Sequence, residues 1–191
     1  MIELKQHRDN TNSQYGEDGI IAKILEAWAF KQDLSEYWCM DVGAWDGIKF
    51  SNIHALVERG ASAVEIESDP ARFYMLEANA KTTPRIHAVQ ASVSTTNIVA
   101  RITAAKAKVW NKTALVLSVD VDGDHAEILS AIKTNPFQIV VVEWCNRGDR
   151  RQYEPLRDWG DKAGFVCVAK TNANLVFVLR GRHEPFQEVI R

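Results

Sequence analysis

Apolar residues recur along the chain in two alternating rhythms. Ile20, Ile21, Ile24, Leu25 and Trp28 repeat at helical spacing and predict an amphipathic helix after the polar start Gly16-Glu17-Asp18-Gly19. Residues 37–42 form a short apolar run that stops at a glycine-rich turn, which predicts a buried strand. A helix over 51–59 carries Ile53, Leu56 and Val57, and Gly60 is placed to cap its C-terminus. A second strand follows over 62–67. Asp69-Pro70 then supplies an N-cap and a first-turn proline to a helix with Phe73, Leu76 and Ala80 on one face. Strands are expected again at 86–91, 115–121 and 138–144, and helices at 98–109, around Ile128, Leu129 and Ile132, and at 153–163. The run at 138–144 is almost unbroken valine and isoleucine, as suits a strand covered on both faces. Two final runs, 165–169 and 175–179, flank Lys170-Thr171-Asn172-Ala173-Asn174 and read as a hairpin. Five β-α units and a closing hairpin imply an α/β fold: a mostly parallel sheet, one antiparallel strand, and helices on both faces.

In such sheets a ligand sits beyond the carboxyl ends of the strands, near the point where strand order reverses. The first strand ends in Asp41-Val42-Gly43-Ala44-Trp45-Asp46-Gly47, whose glycines allow a sharp turn and close approach to a ligand. The second ends in Glu65-Ile66-Glu67. The two glutamates share a face, with Glu67 nearest the end, about where an acidic residue grips a nucleoside ribose. The loop lacks the G-x-G-x-x-G of an NAD site and would put Trp45 where a pyrophosphate should lie, so the pattern suits a nucleoside ligand without phosphate. Asp120, Asp122 and Asp124 follow the fourth strand at D-x-D-x-D spacing. An EF-hand is excluded, because His125 and Ala131 stand where a calcium loop needs Gly and Glu. Asp122 or Asp124 could simply cap the next helix. Asp120, Asp122 and His125 are otherwise candidates for a general base, with Asp120 and Asp122 candidate ligands of Mg²⁺. Glu143 and Asn146 extend the same rim. Arg147, Arg150 and Arg151 form either a solvated basic loop or a clamp for an anionic acceptor group.

Composition narrows these choices. A length of 191 residues fits one domain, with a helical segment at about 13–36, and 46% hydrophobic with 25% charged residues is ordinary for a globular chain. The 23 basic and 25 acidic residues balance to −2, and no aromatic residues interleave with the arginines, so nucleic acid is disfavoured as a partner. Cys39, Cys145 and Cys167 sit in apolar runs without paired spacing and read as buried thiols of a reducing compartment. Trp28, Trp38 and Trp110 are expected in the core, with Trp45 and Trp144 at strand ends. No apolar run reaches the ~18 residues of a membrane span, and residues 1–12 show no signal-peptide pattern, so a cytoplasmic protein without a membrane partner is expected.

Taken in order, these motifs resemble a class I S-adenosylmethionine-dependent methyltransferase, and more narrowly the FkbM-like O-methyltransferases. The resemblance runs from Ser13-Gln14-Tyr15-Gly16-Glu17-Asp18 through the Asp41 to Gly47 loop, Glu67-Ser68-Asp69-Pro70, Ala91-Ser92, Asp120-Val121-Asp122-Gly123 and Glu143 to Asn172-Ala173-Asn174. It implies a seven-stranded Rossmann-like methyltransferase sheet and S-adenosylmethionine as cofactor. Asp41, Gly43 and Gly47 would contact its methionine part, Glu67 its ribose, and Ala91 and Ser92 its adenine. Gln14 would cover it from the N-terminal side, and Asp120 would face the transferred methyl. Trp45 departs from the usual glycine at its position. Glu143, Asn146 and Arg147 are the candidate acceptor-binding residues. A hydroxyl of a saccharide or small natural product is the expected acceptor. The alternatives are another acceptor (nitrogen, nucleic acid or protein) or a non-catalytic binding module. Without a long insertion to form a lid, a homo-oligomer could complete the pocket from a second subunit.

Overall fold

The computed structural model describes residues 1–121, 123, 125–145 and 151–189. Strands β1 (Tyr37–Val42), β2 (Ser62–Glu67), β3 (Ile86–Gln90), β4 (Thr113–Val119), β5 (Ile139–Glu143), β6 (Phe165–Lys170) and β7 (Asn174–Leu179) form one sheet in the order β3-β2-β1-β4-β5-β7-β6. β1 to β5 pair in parallel, and β7 runs antiparallel to both β5 and β6. The chain therefore winds outward from β1 to β3, returns to β4 beside β1, and winds the other way. The reversal falls between β1 and β4, the place where such sheets leave a crevice for ligand.

Both faces of the sheet are covered. Helices α1 (Glu17–Ala27), α2 (His54–Glu58) and α3 (Pro70–Thr82) bury Ile20, Ile24, Leu56 and Leu76 against Cys39, Ala63, Val116 and Val141. On the opposite face α4 (Ile98–Lys108), α5 (His125–Ser130) and α6 (Tyr153–Ala163) bury Ile102, Leu129, Leu156 and Trp159 against Trp38, Met40, Leu117 and Val140. Alternation along β1 sends Cys39 and Asp41 to the first face and Trp38, Met40 and Val42 to the second. Inside the sheet the alternation brings apolar side chains, and at its carboxyl edge the same face receives carboxylates.

Local chemistry set several boundaries. Asp69 caps α3 as expected, its Oδ1 accepting the N–H groups of Ala71 and Arg72 at 2.9 Å each, with Pro70 in the first turn. α2 is shorter than the apolar pattern predicts. The Ser51 hydroxyl takes the N–H groups of Ile53 and His54 at 3.2 Å each, so residues 51–53 form a turn before helix begins. Two expectations are corrected. Trp110 is 78% exposed, because it lies in the turn beyond the end of α4. Cys145 is half-exposed because the chain has left β5 by that point, whereas Cys39 and Cys167 are buried. Among the described residues no helix is long and apolar enough to cross a membrane.

Candidate active site

The loop after β1 is stitched to β2. Gly43 and Ala44 donate their N–H groups to the Ile66 carbonyl at 2.9 and 3.1 Å, and Trp45 donates to Glu67 Oε2 at 3.0 Å. Gly43 has φ +88°, and a Cβ there would fall on the carbonyl oxygen of Asp120, whose own N–H bonds to Val42 at 2.8 Å. The loop after β1 and the end of β4 thus touch backbone to backbone, with no space for a side chain. Trp45 adopts φ +54°, the left-handed region, which costs a non-glycine residue about 1–2 kcal/mol. Its ring is sandwiched in part by the Arg72 guanidinium at 4.3 Å and meets Phe50 edge-on at 6.2 Å. Trp45 therefore takes the backbone conformation that a glycine would take there.

Glu67 ends β2 with its carboxylate buried and doubly anchored, Oε2 on Trp45 N–H and Oε1 on Asp69 N–H at 2.8 Å. Ser68 Oγ adds a third donor to Oε1 at 3.5 Å, and since a carboxylate can accept about four hydrogen bonds, capacity for a further donor remains. Ala91 follows on β3, its N–H bonded to the Glu67 carbonyl at 3.0 Å, which brings the Ala91-Ser92 segment beside Glu67. Gln14 is exposed, and its carbonyl accepts from Asn10 at 3.1 Å. Nearby, the Asn12 carbonyl takes the Phe50 N–H at 2.9 Å. Asp18 Oδ2 gathers the N–H groups of Thr11, Asn12 and Ser13 at 3.0, 2.6 and 2.8 Å and holds this segment on α1.

Beneath the loop lies a buried acidic cluster. Asp41 and Glu65 are lateral neighbours in the β1–β2 register, and Ser118 is Asp41's neighbour on β4. Ser51 Oγ donates to Asp41 at 3.3 Å, Asn52 Nδ2 donates to Ser118 Oγ at 3.2 Å, and His54 Nδ1 is 2.9 Å from the Gly47 carbonyl. Glu65 is fully buried, neither of its carboxylate oxygens has a hydrogen-bond partner, and a Cβ at Gly47 would strike Oε2. Burial, reinforced by the charges of Asp41 and Asp46, holds the Glu65 carboxyl well above the usual range. Burial also pushes Asp41 up to about 7, with Asp120 and Glu67 adding to the rise while Ser118 and Ser51 oppose it. Glu65 was visible in the sequence only as Glu67's companion on one face; its pairing with Asp41 depends on strand order.

Past the crevice, Asp120, His125 and Glu143 each bring a ligand atom within 4.8 Å of the others. His125 Nε2 lies 3.8 Å from Glu143 Oε2 and accepts the Val121 N–H at 3.2 Å. Asp120 is exposed, while His125 and Glu143 are buried. Asp122, Asp124, Asn146, Arg147 and Arg150 lie outside the described residues, and Arg151 is exposed. A set of one imidazole and two carboxylates fits ions that accept nitrogen and oxygen together, rather than Mg²⁺, which prefers oxygens and water. Behind Glu143, Glu17 closes the site from α1. Its fully buried carboxylate accepts from Tyr15 N–H, Thr171 Oγ1 and Asn174 Nδ2 at 2.9, 2.6 and 2.9 Å. The sequence flagged Glu17 only as a polar helix start.

The chain matches no family model and no curated protein sequence. Its fold is nonetheless shared with solved structures. It is similar to the precorrin-6y C5,15-methyltransferase of Geobacter metallireducens, at 13% identity and a TM-score of 0.51, over 91% of this chain and 93% of that one. It is also similar to the fibrillarin pre-rRNA processing protein of Methanococcus jannaschii, at 12% identity and a TM-score of 0.56, over 78% and 68%. For the methyltransferase domain of METTL16 the values are 11% identity and a TM-score of 0.53, over 85% and 66%. Strand order, terminal hairpin and these likenesses together define a Rossmann-like methyltransferase fold.

Proposed function

We propose that the protein is an S-adenosylmethionine-dependent methyltransferase that methylates a hydroxyl group. The observation that carries this reading is the Glu67 carboxylate, held by the Trp45 and Asp69 N–H groups against the loop that crosses the sheet's reversal point. The cradle suits the cofactor: Gly43 and Gly47 leave no space where a side chain would be, and buried Asp41, raised to about 7, is poised to ionise beside a ligand ammonium. Glu67 would hold the ribose, Gly43 to Gly47 and Asp41 the methionine part, and Ala91 and Ser92 the adenine. When bound, the cofactor supplies a methyl already activated on a sulfonium.

The chain's own work is alignment and proton removal. Asp120, exposed at the end of β4, orients the acceptor hydroxyl and takes its proton on a carboxylate oxygen. His125 spends the Nε2 lone pair on Val121 N–H, which leaves the base role to Asp120. The FkbM-like motifs and this carboxylate rim favour oxygen as the methylated atom.

Calorimetric titration with S-adenosylmethionine and S-adenosylhomocysteine tests the reading. Micromolar binding is expected, weakened by ~1–3 kcal/mol in Glu67→Ala through loss of a charged hydrogen-bond acceptor. A folded protein that binds neither compound overturns it.

A further inference from the structure

A second feature stands beside the rim and has no part in holding the cofactor. Directly after Glu143, the residues Trp144 and Cys145 join Lys170, Thr171 and Asn172 of the β6–β7 turn to line a cavity of about 330 Å³. Lys170 is half-buried there, and its ammonium stands 4.1 Å from the ring centres of both Trp144 and Tyr153, which pack edge-on at 5.3 Å. The two rings fix the long side chain, and Trp144 is fixed in turn by its indole N–H, which donates to the Thr171 carbonyl at 3.3 Å. Arg8 donates to the Lys170 carbonyl at 2.6 Å and brings a second positive charge to the same turn.

The nearby carboxylates are committed elsewhere. Glu17 is taken up by Thr171 and Asn174, and Glu143 faces His125. Among the described residues Lys170 makes no ion pair. Holding an ammonium over two aromatic faces with no ion pair among the described residues leaves a preorganised donor, and Asn172 lines the cavity wall beside it.

We infer that this cavity anchors the acceptor and takes an oxyanion substituent, carboxylate or phosphate, on Lys170. The inference rests on the methyltransferase reading for the word acceptor, since it places the anchored molecule next to Asp120. An acceptor gripped by its charged group at the end of β5 would present a hydroxyl toward the end of β4.

The test uses the 191-residue chain and the ¹⁵N-indole signal of Trp144, assigned by its loss in Trp144→Phe. Sodium D-glucuronate, glucose 6-phosphate and glucose are titrated at constant ionic strength into the wild type, Lys170→Gln and Lys170→Arg, each shown to be folded by its thermal unfolding transition. The expected result is a saturating shift with at least one charged sugar and none with glucose. The affinity should fall about ten-fold or more in Lys170→Gln and be largely retained in Lys170→Arg. Which charged sugar binds assigns carboxylate or phosphate. Equal response to glucose, no response to either charged sugar in the tens of millimolar, or unchanged affinity in Lys170→Gln overturns the inference. S-adenosylmethionine binding measured on the same wild-type sample separates the outcomes. If it persists while anion binding is absent, only the subsite is wrong; if both are absent, the methyltransferase reading falls too.

Discussion

Asp41→Asn removes one carboxyl from the acidic cluster beneath the loop after β1 with almost no change of shape. In the wild type, burial raises this group from 3.8 to about 7 against the opposing hydrogen bonds of Ser118 and Ser51. Between pH 4 and 7 the native protein therefore keeps a proton that the unfolded chain has released. Unfolding then releases protons, and stability falls as pH rises across that window before levelling off above it. A shift of about 3 units at 1.36 kcal/mol per unit puts the loss at roughly 4 kcal/mol. The asparagine cannot ionise. Urea unfolding followed by tryptophan fluorescence at pH 5, 6, 7 and 8 should show the variant ahead by roughly 1.5 kcal/mol at pH 5 and by a margin that widens up to pH 8. The gap at pH 8 should approach that figure, less whatever the amide loses in hydrogen bonding. Glu65 is shifted in the same direction, so part of the slope survives in Asp41→Asn and disappears when Glu65→Gln is added. Wild-type and Asp41→Asn stabilities that run parallel from pH 5 to 8 would refute the reasoning. The variant's gain in stability should come with weaker S-adenosylmethionine binding, as expected where a site keeps a costly charge for use.

Gly43→Ala should cost more than the ~1 kcal/mol of a left-handed alanine, because the added carbon meets the Asp120 carbonyl, and should abolish cofactor binding. Gly164→Ala, at φ +78° with nothing within 4 Å, should cost only about that 1 kcal/mol in the same urea assay. Glu17→Ala should destabilise by about 3 kcal/mol or more, since it strands the donors of Tyr15, Thr171 and Asn174 in a buried site, and Glu17→Gln by clearly less. Asp120→Asn should keep calorimetric affinity for S-adenosylmethionine while lowering turnover on an identified acceptor by about 10²–10⁴-fold.

The sheet was legible in the sequence because its strands are covered on both faces and read as short apolar runs; β1, β2 and α6 match their expected limits. The cap at Asp69-Pro70 and the placing of Glu67 at a strand end were legible too, being decided within a few residues of chain. What the sequence could not supply is lateral. Alternation along a strand says which face a side chain joins but not which strand lies beside it, so Asp41 and Glu65, 24 positions apart, became an acid pair only through the β1–β2 register. Glu17 met Thr171 and Asn174, more than 150 positions away, only because the start of α1 lies against the β6–β7 turn. Trp110 read as core from its composition alone, whereas the turn after α4 leaves it exposed. Lys170 looked like an ordinary hairpin lysine until the tertiary fold set it between Trp144 and Tyr153. Local steric and hydrophobic preferences thus determined the elements, and the order in which the strands pair decided which charges share a site.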